Sequence, residues 1–350
     1  MGRLLVAPDA GERFSPIEGP GVLVLDVAAS AGAEVDSWQN ALLEQLPILP
    51  CVTIAIEAED CAAPARALGL ACDVVLQDRG DLDALLEGFA KTPIAALAFV
   101  QLLRTSSNSS IYAGLIAESF VYSTLQSGAE FRNWLTSRPR RGATGATSPG
   151  PACLLEREGG RLDITLARPD RHNAFSYSMR DAIVEAFQLA LTDSSIEEVV
   201  LRGAGESFCS GGDLDEFGSL SNPAEAHAIR TTRSPALLAA RLAGRLRVEV
   251  HGACLGAGIE LPAFADRVVA EEGAYFQLPE VALGLVPGAG GTVSLPRRIG
   301  RQKTAWLGLS GQRIDAQTAL GWGLVDELRL GQHVEREKPK KTAGRRAKAH

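Results

Sequence analysis

The stretch from Cys254 to Asp266, Cys-Leu-Gly-Ala-Gly-Ile-Glu-Leu-Pro-Ala-Phe-Ala-Asp, places a carboxylate, Glu260, two residues beyond a turn of small residues. Glycine permits left-handed backbone angles and close approach by a ligand, and the pattern after the turn is helical. The turn is therefore expected to present backbone N–H groups at a helix start near Gly258. A carbonyl oxygen becoming an oxyanion would be stabilised there, with roughly half a positive charge added by the helix dipole. A carboxylate so close to oxyanion donors can move protons on the carbon next to that carbonyl. Pro262 fits this placement, because N–H groups in the first helical turn have no intrahelical partner. The same Gly-Ala-Gly turn would also serve plain tight strand-to-helix packing.

The elements that must position this turn are legible on both sides of it. Leu246 to Val250 has β character and leads through His251 and Gly252 into the turn. Upstream, strand-like Val199 to Arg202 opens into a second glycine-rich loop, Gly203 to Gly212. Downstream, strand-like Arg267 to Ala270 precedes Tyr275 to Glu280, and Gly284 to Gly291 opens another helix. The first part of the chain reads as alternating α/β, with strands near 21–27, 51–56 and 73–76. From Asp81 it turns helical, through 82–89, 94–103, 111–127 and 131–135. No catalytic grouping stands out there, and Glu118 reads as a helix-surface or core-polar residue. We divide the chain into a lead-in at 1–20, a site-less α/β segment at 21–136, a Pro/Gly/Ser/Thr linker at 137–152, a catalytic domain at 153–330 and a basic tail at 331–350.

Composition narrows the function. The chain has 350 residues, is 46% hydrophobic and carries a net charge of −7, as expected for a soluble globular protein of about two domains. Neither a run of about twenty apolar residues nor a basic-then-apolar leader is present, so we expect no membrane span, no secretory signal and a cytoplasmic location. The acidic balance argues against nucleic acid as the main partner. The tail from Arg336 to His350 is the exception, with seven Lys/Arg and one Glu, and such a run is read as solvated. Six cysteines without a C-x-x-C pair or a histidine at ligand spacing predict reduced thiols and no metal site.

Four segments together resemble the crotonase superfamily, the enoyl-CoA hydratase/isomerase family. They are Arg168 to Ala174 (Arg-Pro-Asp-Arg-His-Asn-Ala), Phe208 to Asp213 (Phe-Cys-Ser-Gly-Gly-Asp), His251 to Asp266, and Phe276 to Glu280 continuing through Pro287 to Gly291. Their order and spacing, with Leu309 to Ile314 and Ala319 to Val325 behind them, extend the likeness over about Cys153 to Leu328. The resemblance implies a spiral of ββα turns that binds acyl-CoA thioesters. It assigns the oxyanion hole to the N–H groups of Gly212 and Ala257, the latter standing where glycine is frequent. Glu260 would hold and deprotonate the attacking water, and Glu280 would deliver a proton to C2 of a 2-enoyl thioester. His172, Asn173 and Ala174 would lie against the adenine of coenzyme A, with Arg171 or Arg168 near a phosphate. Coenzyme A is then part of the substrate and no separate cofactor is implied. A homo-oligomer, a trimer or a multiple of it, and a place in fatty acid metabolism are the family expectations. Retention of both glutamates favours hydration; an isomerase, an acyl-CoA hydrolase or a non-catalytic acyl-CoA-binding scaffold are the alternatives.

One feature departs from the family pattern. Members usually end in about three helices that roof the acyl pocket, whereas here Leu328 is followed almost at once by the basic tail. The segments 93–103, 115–127 and 130–135 look like those closing helices, placed ahead of the catalytic half. We therefore expect 21–136 to be a degenerate crotonase-like repeat that supplies the roof, with Tyr112, Phe120 or Tyr122 reaching the pocket.

Overall fold

The computed structural model describes residues 2–27, 33–58, 61–106, 109–138, 150–220 and 222–330. The basic tail and most of the expected linker lie outside the described residues. Among the described residues twelve strands form three sheets. β1 (Val22–Asp26), β2 (Val52–Ile56) and β3 (Val74–Leu76) are parallel neighbours in that order. The large sheet takes β4 (Cys153–Glu158), β5 (Arg161–Leu166), β6 (Glu198–Gly203), β7 (Leu246–Val250), β9 (Arg267–Glu271) and β12 (Glu327–Arg329), in the order β12-β9-β7-β6-β5-β4. Only the β4–β5 pair in it is antiparallel. The third sheet is small: β8 (Ala253–Leu255) and β11 (Ile314–Asp315) flank β10 (Tyr275–Gln277).

These pairings make the expected ββα spiral. β7 in the large sheet hands the chain over to β8 in the small one, and β9 does the same to β10; each unit then ends in a helical turn, Ala257–Glu260 after β8 and Val281–Leu283 after β10. The strand sequences follow their surroundings. β5 alternates, with Leu162, Ile164 and Leu166 buried, whereas every residue of β2 is buried because both faces of its sheet are covered.

The two halves share one core. Val52, Ile54, Ile56 and Val74 on one face of the N-terminal sheet join Phe99 and Leu103, and through them Leu295, Leu307 and Leu309. The opposite face has its own cluster around Leu5, Leu23, Leu46 and Leu68. Polar stitches cross the same boundary. The Thr92 hydroxyl donates to the Val281 carbonyl at 2.6 Å, and that of Ser106 to the Thr292 carbonyl at 2.9 Å. Buried Asp73 accepts from Arg104 at 2.6 Å on its own half and from Arg301 at 3.1 Å on the other. The helices Pro93–Ser106, Ile111–Gln126 and Ala129–Ser137 thus lie on the C-terminal half. The structure carries the repeat idea no further: among the described residues β1 to β3 form a single parallel layer without a small second sheet.

Candidate active site

The organising turn is built on Gly256, whose φ of +49° and ψ of −117° suit glycine. A Cβ there would stand 2.2 Å from Oε1 of Glu280, so the position also needs the missing side chain. The helix that follows is only Ala257–Glu260, a single turn, and Pro262 opens a separate 3-10 segment, Pro262–Phe264. A macrodipole needs several aligned turns, so here the local N–H groups replace the long-helix charge expected from sequence. Among the described residues the N–H groups of Ala257 and Gly212 have no protein acceptor, and both residues line one cavity. Gly212 reaches it because Phe175 brackets the loop, donating to the Gly211 carbonyl at 2.7 Å and accepting from the Asp213 N–H at 3.2 Å.

Glu260 and Glu280 line the same cavity, at 2% and 7% exposure. Their settings differ. Oε2 of Glu260 accepts from the N–H groups of Ala289 at 2.7 Å and Gly291 at 2.8 Å. Oε2 of Glu280 is buried with no partner among the described residues. Burial pushes the Glu280 carboxyl up to about 8. Burial also raises Glu260 well above the usual carboxylate range, with Glu280 and Glu118 adding repulsion and the two N–H groups opposing it.

A third carboxylate, Glu118 on the helix Ile111–Gln126, is at 3% exposure. It accepts from Gly290 N–H at 2.8 Å, Thr292 N–H at 2.9 Å and the Thr292 hydroxyl at 2.6 Å. Four consecutive N–H groups, 289 to 292, thus alternate between Glu260 and Glu118. Burial raises Glu118 to about 7, against these hydrogen bonds. Sequence reading missed this role. The one available signal was a lone acid in the apolar run Leu115-Ile-Ala-Glu118.

The cavity has an empty volume of about 1300 Å³, part of it open to solvent. Tyr112 and Tyr122 line it as expected. Phe120 does not; it is 57% exposed and stacks on His227 at 4.0 Å, since two residues along a helix turn a side chain to the opposite face. His172, Asn173, Ala174 and Arg171 lie ahead of the rim at Phe175 rather than in the lining. His172 and Asn173 both have φ of +51°. Buried Asn173 donates to the carbonyls of Ala204 at 2.8 Å and Ser207 at 2.9 Å, so its side chain braces the loop leading to Gly212. Arg171 reaches Asp215 at 3.4 Å. Among the described residues no group of His, Cys, Asp and Glu could hold a metal ion, and no single helix is long and apolar enough to cross a membrane.

Comparison with known proteins gives the family of this chain. Residues 156–343 match the family model described as enoyl-CoA hydratase/isomerase. The chain belongs to the enoyl-CoA hydratase/isomerase family. It is similar to 2,3-dehydroadipyl-CoA hydratase of Escherichia coli, 38% identical over 177 residues that cover 50% of this chain and 68% of that one. It is likewise similar to mevalonyl-coenzyme A hydratase of Aspergillus fumigatus, 34% identical over 48% of this chain and 62% of the relative. The 1,2-epoxyphenylacetyl-CoA isomerase of Escherichia coli is 34% identical over 48% of this chain and 66% of its own. The chain thus spans about two thirds of the length of these curated relatives. In this enoyl-CoA hydratase/isomerase family member the match begins at residue 156, so Tyr112, Glu118 and Tyr122 reach the cavity from a segment that precedes it.

Proposed function

We propose that the protein adds water across the C2=C3 bond of a 2-enoyl-CoA thioester. The observation that carries this reading is the meeting, in one cavity, of two buried carboxylates with two backbone N–H groups that have no acceptor among the described residues. The thioester oxygen would lie between the N–H groups of Gly212 and Ala257. Glu260, raised by burial but with two N–H donors opposing that rise, takes a proton from water in its ionised form as the water oxygen bonds to C3. Electrons move to the thioester oxygen, giving an enolate that the two N–H groups stabilise. Glu280, protonated near neutral pH because its buried carboxyl is raised to about 8, then gives its proton to C2. One hydrogen and one hydroxyl are added in total, and no cofactor takes part. Losing one oxyanion donor in such sites typically costs about 10²–10³ in rate.

The test is hydration of crotonyl-CoA, followed by loss of the conjugated thioester absorbance, for the wild type beside Glu260→Gln and Glu280→Gln. Turnover by the wild type, with a fall of at least about 10²-fold in each variant, supports the reading. An active wild type whose activity survives loss of one carboxylate moves the reaction to isomerisation or hydrolysis. A wild type that binds acyl-CoA without turnover makes the protein a binding subunit.

A further inference from the structure

Three arginines line the cavity: Arg180, Arg230 and Arg233. Arg180 is paired with Asp181 at 2.8 Å, and Arg233 with Asp181 at 2.7 Å and Glu185 at 3.3 Å. Arg230 differs. No carboxylate among the described residues lies within 4.0 Å of its guanidinium. Its contacts are neutral: the Ser119 hydroxyl at 3.2 Å, the Ser119 carbonyl at 3.3 Å, the Gln126 side-chain oxygen at 3.4 Å and the Ser123 hydroxyl. The guanidinium also lies over the Tyr122 ring, 4.5 Å from its centroid. Glu118, the acid that acts on it electrostatically, has both oxygens taken by Gly290 and Thr292. Burial accordingly pulls the Arg230 pKa below its ordinary value.

A half-buried cation without a counter-ion is costly, and the contacts above leave one Nη1 hydrogen to make a charge-assisted hydrogen bond to a carboxylate. Its position indicates which carboxylate. Tyr122 packs against Gly288, where an added Cβ would come within 2.6 Å of the ring, and Gly288 begins the cavity-lining loop that holds Glu260. One aromatic ring therefore separates Arg230 from the loop that orients the water-activating carboxylate, and an acyl chain a few methylenes long can cross that ring. We propose that Arg230 receives a carboxylate at the far end of the acyl chain, so that the preferred substrates are 2-enoyl-CoA thioesters of short dicarboxylic acids. This rests on the acyl-CoA reading of the cavity and adds the substrate class.

The test uses saturated thioesters, which bind but have no double bond to hydrate, so it is independent of the reaction. Binding of adipyl-CoA, hexanoyl-CoA and free coenzyme A is measured by calorimetry for the full chain and for Arg230→Gln and Arg230→Lys. The expected result is a wild-type preference for adipyl-CoA over hexanoyl-CoA of about tenfold or more. Arg230→Gln should lose that preference while leaving hexanoyl-CoA and coenzyme A within about twofold, and Arg230→Lys should keep part of it. The Lys variant decides the matter if the Gln variant does not fold. Equal wild-type binding of the two thioesters would overturn the proposal. So would a loss in Arg230→Gln shared by coenzyme A, which would assign the arginine to a coenzyme phosphate instead. Preference for adipyl-CoA in a protein that hydrates nothing would leave this inference standing and remove the hydratase reading; absence of binding by any thioester would remove both.

Discussion

At the scale of single residues, the site is three buried carboxylates sharing few donors. Glu118 and Glu260 divide the N–H groups of residues 289 to 292, while Glu280 keeps an oxygen without a partner among the described residues. Glu118 acts on the pair through space, since its negative charge raises both Glu260 and Glu280. Glu118→Gln should therefore lower both, and on the proposed mechanism the alkaline limb of the kcat profile, which loss of the Glu280 proton would set, should move toward lower pH. A pH profile of crotonyl-CoA hydration checks this, and an unmoved limb would leave Glu118 with a purely structural role. Glu280 also bears on stability. Its folded value of about 8 lies above the ordinary 4.5, so the folded state holds a proton that the unfolded chain has released. The sign is a loss of stability as pH rises from 4.5 toward 8. Glu280→Gln removes that loss and should raise Tm, more at pH 9 than at pH 5, in thermal scans; a pH-independent gain would contradict it. The position of Glu260 beside a glycine turn was readable because both are local. Glu118 was not readable as a site residue, because Gly290 and Thr292 lie 172 and 174 positions away.

At the scale of elements, the short connections matter more than the helices they join. The turn after β8 was legible from its small residues, but the helix it opens proved to be one turn long. Helical periodicity did not show this; with the helix starting at Ala257, Pro262 lies past the first turn, where it has no N–H to bond the Gly258 carbonyl and its ring ends the helix. Helix faces were legible only by type. The helix Ile111–Gln126 is apolar nearly all round, so its sequence does not say which side meets the cavity, and Tyr122 rather than Phe120 turned out to face it. One close element contact joins the halves. Gly88, on the helix Leu82–Lys91, lies so near the helix Arg301–Ser310 that an added Cβ would fall 1.9 Å from the Leu309 carbonyl oxygen. Gly88→Ala should cost about 1–3 kcal/mol through overpacking, measured by denaturant unfolding. A neutral effect would mean that the two helices can separate without penalty.

At the scale of the whole molecule, the segment ahead of the family match is an integral part of the structure. Asp73 is buried between Arg104 and Arg301, and removing one partner of such a set typically costs about 3–5 kcal/mol because it strands the remaining charges. Asp73→Ala should therefore unfold the chain in a single transition at a lower denaturant midpoint, monitored by circular dichroism; loss of the N-terminal sheet alone would contradict that. Cutting the chain at a protease site introduced between 139 and 149 should leave the halves associated on gel filtration, because they share one core. The sequence by itself determined the family, the spiral of the C-terminal half and the glycine turns around Glu260, since each is written in residues close together along the chain. Tertiary structure alone decided which residues of the expected roofing helices reach the cavity, which carboxylate shares the loop with Glu260, and which arginine has no counter-ion among the described residues. Those are pairings between distant segments, set by how apolar faces close over one another, and no local pattern encodes them.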